Sequence, residues 1–150
     1  KIEWCRQVCY STGTIEENVD FATLIGPIES KKMDFILKGI SRINSVGIKA
    51  WIKYFQSIAS KGTQLRFFEC STAIVEQVNL ISNFTCGGTV ESIYVPFCCN
   101  SCGTELLGLF RTSDLKQIGL NIPTLKCSKC GGNASFDDIP EEYFGFVARS

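Results

Sequence analysis

Apolar and polar positions alternate between two rhythms along the first two thirds of the chain. Residues 3–13 (EWCRQVCYSTG) alternate loosely, which predicts a strand with Cys5 and Cys9 on one face as small core thiols. Residues 16–25 (EENVDFATLI) predict a short helix with acidic residues in its first turn, ended by Pro27. Residues 33–40 (MDFILKGI) form an apolar run of strand length. Between 45 and 60, Ile48, Trp51, Ile52, Phe55 and Ala59 fall on one stripe of an amphipathic helix, and Gly62 stops it. Residues 64–70 (QLRFFEC) predict another strand. Residues 72–84 predict a second helix, with Ile74, Val75, Val78, Ile81 and Phe84 on one side and Gly87-Gly88 after it. Residues 89–95 (TVESIYV) predict a strand closed by Pro96.

This β, α, β, α, β, α, β order predicts an α/β fold, a mostly parallel or mixed sheet with helices packed on it. About 95 residues suffice for one such core. The rhythm stops at Pro96, which places a domain at 1–95 and a second at 96–150. The second is too small for a large core and is expected to need a metal ion.

Cysteine changes the picture most. The chain has nine, and five lie between Cys98 and Cys130. Cys99-Asn-Ser-Cys102-Gly103 and Cys127-Ser-Lys-Cys130-Gly131 are two Cys-x-x-Cys-Gly steps. Two thiolates at that spacing bind one ion from a tight turn, and the following Gly supplies the positive φ that aims backbone N–H groups at the sulfurs. Together they predict a closed tetrahedral site for one structural zinc ion, held by Cys99, Cys102, Cys127 and Cys130. A disulfide or an iron site is the competing reading. Cys98 competes with Cys99 for one ligand position, and the spacing favours Cys99. Cys70 and Cys86 are read as buried thiols. Zinc-thiolate chemistry beside free thiols belongs in a reducing compartment, so a cytoplasmic protein is expected in spite of the sequons at Asn83 and Asn133.

Charge and composition then remove function classes. Fifteen basic and fifteen acidic side chains balance, which argues against nucleic-acid binding by bulk positive charge and against a polybasic membrane binder. Residues 96–150 carry one more acidic than basic side chain, and four thiolates around a zinc dication add two further negative charges. Asp137, Asp138, Glu141 and Glu142 cluster there, which favours a docking or structural role. The chain has no histidine, no glycine-rich phosphate loop and no nucleophile paired with a base, so an enzyme is not expected. No apolar run reaches the length of a membrane span.

Gly39-Ile40, then Ser41-Arg42, then Ile43-Asn44-Ser45-Val46-Gly47-Ile48 at the start of the long helix resembles the STAS family, the domains of sulfate transporters and anti-sigma factor antagonists. The resemblance covers about residues 3–95 and implies a STAS-like mixed sheet with packed helices. In the antagonists the first Ser of the family's Asp-Ser-Ser-Gly step is phosphorylated by a partner kinase, which releases the partner. By position the resemblance assigns that role to Ser45, with Asn44, Val46 and Gly47 at the partner-binding edge. Asn44 replaces the family Asp and Val46 the second Ser. The plain alternative is that Ser45 is a helix N-cap. Residues 96–150 resemble zinc-ribbon modules, with residues 131–146 as the closing hairpin and an aromatic edge that covers the zinc, docks onto the first domain or binds a peptide.

The expected function is a non-enzymatic bacterial signalling protein acting in transcription regulation. It would bind a regulatory protein, anti-sigma or kinase-like, with phosphorylation of Ser45 as the switch and one structural zinc. A zinc-ribbon scaffold or nucleic-acid-associated adaptor without a phospho-switch is the alternative. Monomer and homodimer both fit.

Overall fold

The computed structural model describes residues 5–9, 14–15, 20–21, 25, 31–119 and 121–149, with backbone alone at 5–9 and 14. Strand β1 (Cys5–Cys9) is the described part of the first expected strand, and β2 (Thr14–Ile15) follows. Of the expected helix at 16–25, Phe21 and Ile25 are helical and buried, and Asp20 is exposed; the remainder lies outside the described residues. Strand β3 (Lys32–Ile36) is shorter than its apolar run, because Lys38-Gly39 turns the chain into β4 (Arg42–Ile43). Helix α1 (Ser45–Ser60) has the expected bounds and buries Gly47, Trp51, Phe55 and Ile58. Strand β5 is Gln64–Phe68, helix α2 is Thr72–Leu80 and strand β6 is Thr89–Val90.

Strands β1, β3, β5 and β6 form one parallel sheet in that order. Parallel neighbours need crossovers, which α1 and α2 supply between β3 and β5 and between β5 and β6. Asp34 in β3 lies directly opposite Arg66 in β5 and accepts two hydrogen bonds from it, at 2.6 and 2.7 Å. A carboxylate with 7% side-chain exposure is tolerated in a central strand only with such a fork. Helix α2 stops at Leu80, four residues before its apolar stripe ends. The stripe continues because Phe84 tucks back: its ring stacks on Trp51 at 4.8 Å, and its carbonyl accepts the indole N–H at 2.9 Å.

The expected close of the sheet at Pro96 is where the structure differs most. Strand β7 (Ser92–Cys99) runs straight through Pro96 and pairs antiparallel with β8 (Glu105–Arg111). Pro96 is tolerated because the backbone edge it presents faces beyond the end of β10 (Asn133–Phe136); its carbonyl accepts from Asp137 N at 3.0 Å. With β9 (Leu125–Lys126) these strands form an antiparallel sheet ordered β8, β7, β10, β9. Strands β2 and β4 pair parallel in a small sheet of their own, and where a mostly parallel or mixed sheet was expected the chain makes two four-stranded sheets, one parallel and one antiparallel. A bridge between Cys70 and Ile93 connects them. The expected boundary at 95 and 96 falls inside β7, and one cluster of buried residues runs from Ile15 to Val147.

Of residues 131–146, only β10 closes a hairpin, pairing antiparallel with β9 around the second knuckle. After β10 the chain forms α4 (Pro140–Tyr143) and α5 (Gly145–Arg149). Pro140 at the first helical position and Glu141 and Glu142 in the first turn favour a helix start. A further helix not foreseen, α3 (Thr112–Ile118), follows β8. Tyr143, Phe144 and Phe146 are buried, so the aromatic edge is a dock and not an open peptide-binding face. Asn79 of α2 fixes that dock: its Nδ2 donates to the Tyr143 carbonyl at 2.9 Å, and its Oδ1 accepts from Phe146 N at 2.8 Å. Among the described residues no helix is long and apolar enough to cross a membrane.

Candidate metal centre and helix edge

Two knuckles bring the cysteines together. The first lies between β7 and β8 and the second between β9 and β10, so adjacent strands of one sheet set their separation. In each knuckle the Gly after the second Cys has positive φ, +74° at Gly103 and +77° at Gly131. Each of those glycines donates its N–H to the carbonyl of the first Cys, at 3.0 and 2.9 Å. The sulfurs of Cys99, Cys102, Cys127 and Cys130 all lie within 4.8 Å of one another, close enough to hold one metal ion. Cys98 is outside the group. Alternation along β7 sends it to the other face, where its sulfur lies 3.7 Å from the Gly103 carbonyl oxygen.

The surroundings favour the thiolate at Cys99 and Cys102 and oppose it at Cys130. Cys102 is lowered to about 6 by the Thr104 hydroxyl, 3.0 Å from its sulfur, and by the Thr104 N–H. Cys99 is lowered by backbone N–H groups of Cys102 and Ser101. Cys130 receives the Gly132 N–H, which favours its charge. The neighbouring Cys99 and Cys102 sulfurs oppose it, and together with desolvation they push the thiol up to about 12. Four thiols this close cannot all ionise without a cation among them, and a cation is what a four-sulfur cage accommodates. Residues 100–103 and 128–131 around the cage are all exposed, while Cys99, Cys127 and Ala134 beside them are buried.

Thr104 and Gly132 were not singled out from sequence. A Cβ at Gly132 would lie 2.7 Å from Ser101 Oγ and 3.3 Å from Cys130 Sγ, so the two knuckles approach too closely for a side chain there. The doubled glycine at 131–132 was the available clue.

The remaining predicted site residues sit together at the start of α1. Asn44, Ser45 and Val46 are exposed, and Gly47 is buried. The N-cap is Asn44 and not Ser45: Asn44 Oδ1 accepts from Gly47 N at 2.8 Å. An Asx side chain one position before Ser45 already reaches the N–H that a Ser cap would take. Ser45 is the first helical residue, and its side chain makes no hydrogen bond among the described residues. The helix start is pinned to β2: Asn44 N donates to the Ile15 carbonyl at 3.1 Å, and a Cβ at Gly47 would lie 2.4 Å from that oxygen. Gly47 is thus a close-approach residue.

The other cysteines are buried thiols where described. Burial raises Cys70 far above the ordinary thiol range and raises Cys86. The side chains of Cys5 and Cys9 lie outside the described residues. No protein-family model, no curated protein and no solved structure matches the chain.

Proposed function

We propose that this chain is a non-enzymatic regulatory interaction module of the STAS type, stapled at its C-terminal end by one structural zinc ion. The partner, a regulatory protein of the anti-sigma or kinase-like class, docks at the start of α1. The observation that carries the reading is the pinned and exposed Asn44-Ser45-Val46 step. It offers an uncommitted hydroxyl beside an apolar side chain with 44% exposure, on a helix start that Ile15 and Asn44 hold in place. A phosphate on Ser45 would sit at a helix N-terminus, one turn before Lys49, so the fold would tolerate its charge and an apposed partner would not. The site of the switch is therefore binding, not folding.

Zinc is the metal that four thiolates at this spacing suit best, and a closed four-sulfur shell leaves no position for substrate. That supports a structural role. The cytoplasm, where such thiols stay reduced, is the compartment that fits.

The test is site-specific photo-crosslinking in the source cell, with the reactive group at position 46 and a control at exposed Gln56 on the same helix. The reading predicts one protein captured from position 46 and not from 56, lost when Ser45→Glu is added. Capture that is identical from both positions, or unaffected by Ser45→Glu, contradicts it.

A further inference from the structure

The turns after α2 meet α3 and α5 around a cavity of about 310 Å³ that contains none of the cysteine quartet and none of residues 44–47. Its wall is one-sided in charge. Lys116 of α3 and Arg149 of α5 line it, and among the described residues no Asp or Glu does, in a chain whose charges balance overall. Lys116 has no carboxylate partner among the described residues. Arg149 donates once to the Val78 carbonyl at 3.3 Å, which anchors the guanidinium and leaves its other N–H groups for a ligand.

The hydroxyl residues Ser82, Thr85 and Thr89 line the same cavity, and Thr112 joins them. Thr112 has only 8% exposure, and its Oγ1 has no hydrogen-bond partner among the described residues. A buried hydroxyl without a partner is uncommon in folded proteins, and an acceptor oxygen from a ligand would satisfy it. Lysine, arginine and hydroxyl donors together match the oxygens of a phosphate group. Val78, Val90 and Phe146 complete the wall with apolar surface. The volume sits at the low end of small-molecule sites, roughly 300–1,000 Å³.

We propose that this cavity binds a small phosphomonoester. Lys116, Arg149 and the threonine hydroxyls take its phosphate, and Val78, Val90 and Phe146 take its organic body. The site is independent of the partner edge on α1. The lining spans α2, β6, α3 and α5, so an occupant would brace the junction between the two sheets.

The experiment is an amide-resolved NMR titration of the full reduced, metal-loaded chain with phenyl phosphate, and separately with inorganic phosphate, at fixed ionic strength. Saturable shifts of the Thr85, Gly88, Thr89 and Thr112 amides by phenyl phosphate, with weaker binding of inorganic phosphate, are expected. Lys116→Gln and Arg149→Gln should each weaken phenyl phosphate about tenfold. Thr112→Val should weaken it several-fold while leaving the melting temperature of the free protein unchanged or higher, which a purely structural threonine would not do. No saturable shift, or affinity unaltered in both Lys116→Gln and Arg149→Gln, overturns the site. Inorganic phosphate binding as tightly as phenyl phosphate overturns the ester and its apolar subsite.

Discussion

The two sheets are stabilised by different means. Around α1, the rings of Phe21, Phe35, Trp51, Tyr54, Phe55, Phe67 and Phe84 touch one another with centroids 4.5–6.0 Å apart. Each buried ring of this kind contributes about 2–3 kcal/mol of apolar burial. In the antiparallel sheet Phe97 lies 6.0 Å from Phe110 and 6.4 Å from Phe136, and Phe136 stacks on Phe144 at 5.1 Å. One end of that sheet carries the cysteine knuckles, whose intervening residues are exposed. Both sheets contribute to one buried cluster, with Ile93, Val95 and Phe97 from the antiparallel one, but the packed rings are densest around α1. The knuckle end of the antiparallel sheet brings four sulfurs within 4.8 Å of one another, close enough to hold one metal ion, and in the proposed reading that ion supplies the bond that holds this end.

The largest expected effect separates the two directly. Stripping the metal with a chelator, or Cys127→Ser, should remove amide protection from β7 to β10 near the knuckles and leave β3 and β5 protected in hydrogen exchange. Metal-linked folding energies of this kind are on the order of 10 kcal/mol. Acidification should act the same way. Cys102 sits at about 6, below an ordinary thiol, so the stabilisation from its thiolate is complete above the ordinary thiol range. It is lost as pH falls through about 6, and metal release followed against pH should steepen there.

The next effect lies in the parallel sheet. Asp34→Ala removes the two-bond fork to Arg66, whose side chain is 32% exposed, and should cost about 2 kcal/mol in urea unfolding. Metal retention should be unchanged, because the metal cage draws on other strands.

The dock between the regions comes next. Asn79→Ala removes two hydrogen bonds to the backbone of α4 and α5 and should cost about 2 kcal/mol. Protection should fall in α5 before it falls in β5. An equal loss in both would show that the two regions unfold as one.

The smallest effect tests the cap. Asn44→Ala should cost about 1 kcal/mol, and Ser45→Ala close to nothing, in thermal unfolding. The reverse ranking would return the cap to Ser45.

What was legible follows the range of the physics. Helix α1 has the bounds its stripe predicted, because a 16-residue amphipathic period is a local property. The cysteine quartet was legible for the same reason, since two residues fix each knuckle and the following Gly fixes its φ. Strand β7 runs on through Pro96, where the sequence pattern predicts its end, because whether a proline ends a strand depends on which neighbour its edge faces. The short helices α4 and α5 are not legible from 140–149 alone, because their aromatic spacing acquires meaning only once Asn79, more than sixty residues away, supplies the clamp. Gly47 was read as part of a motif and is a packing residue against Ile15, a contact that no periodicity in α1 encodes.

The most direct test of the central claim is a native mass spectrum of the full chain purified under reducing conditions, set beside its denatured spectrum. The account predicts one zinc ion per chain, lost on denaturation and absent in Cys127→Ser. A metal-free native mass, with the denatured mass showing the quartet cysteines joined in disulfides, would contradict it.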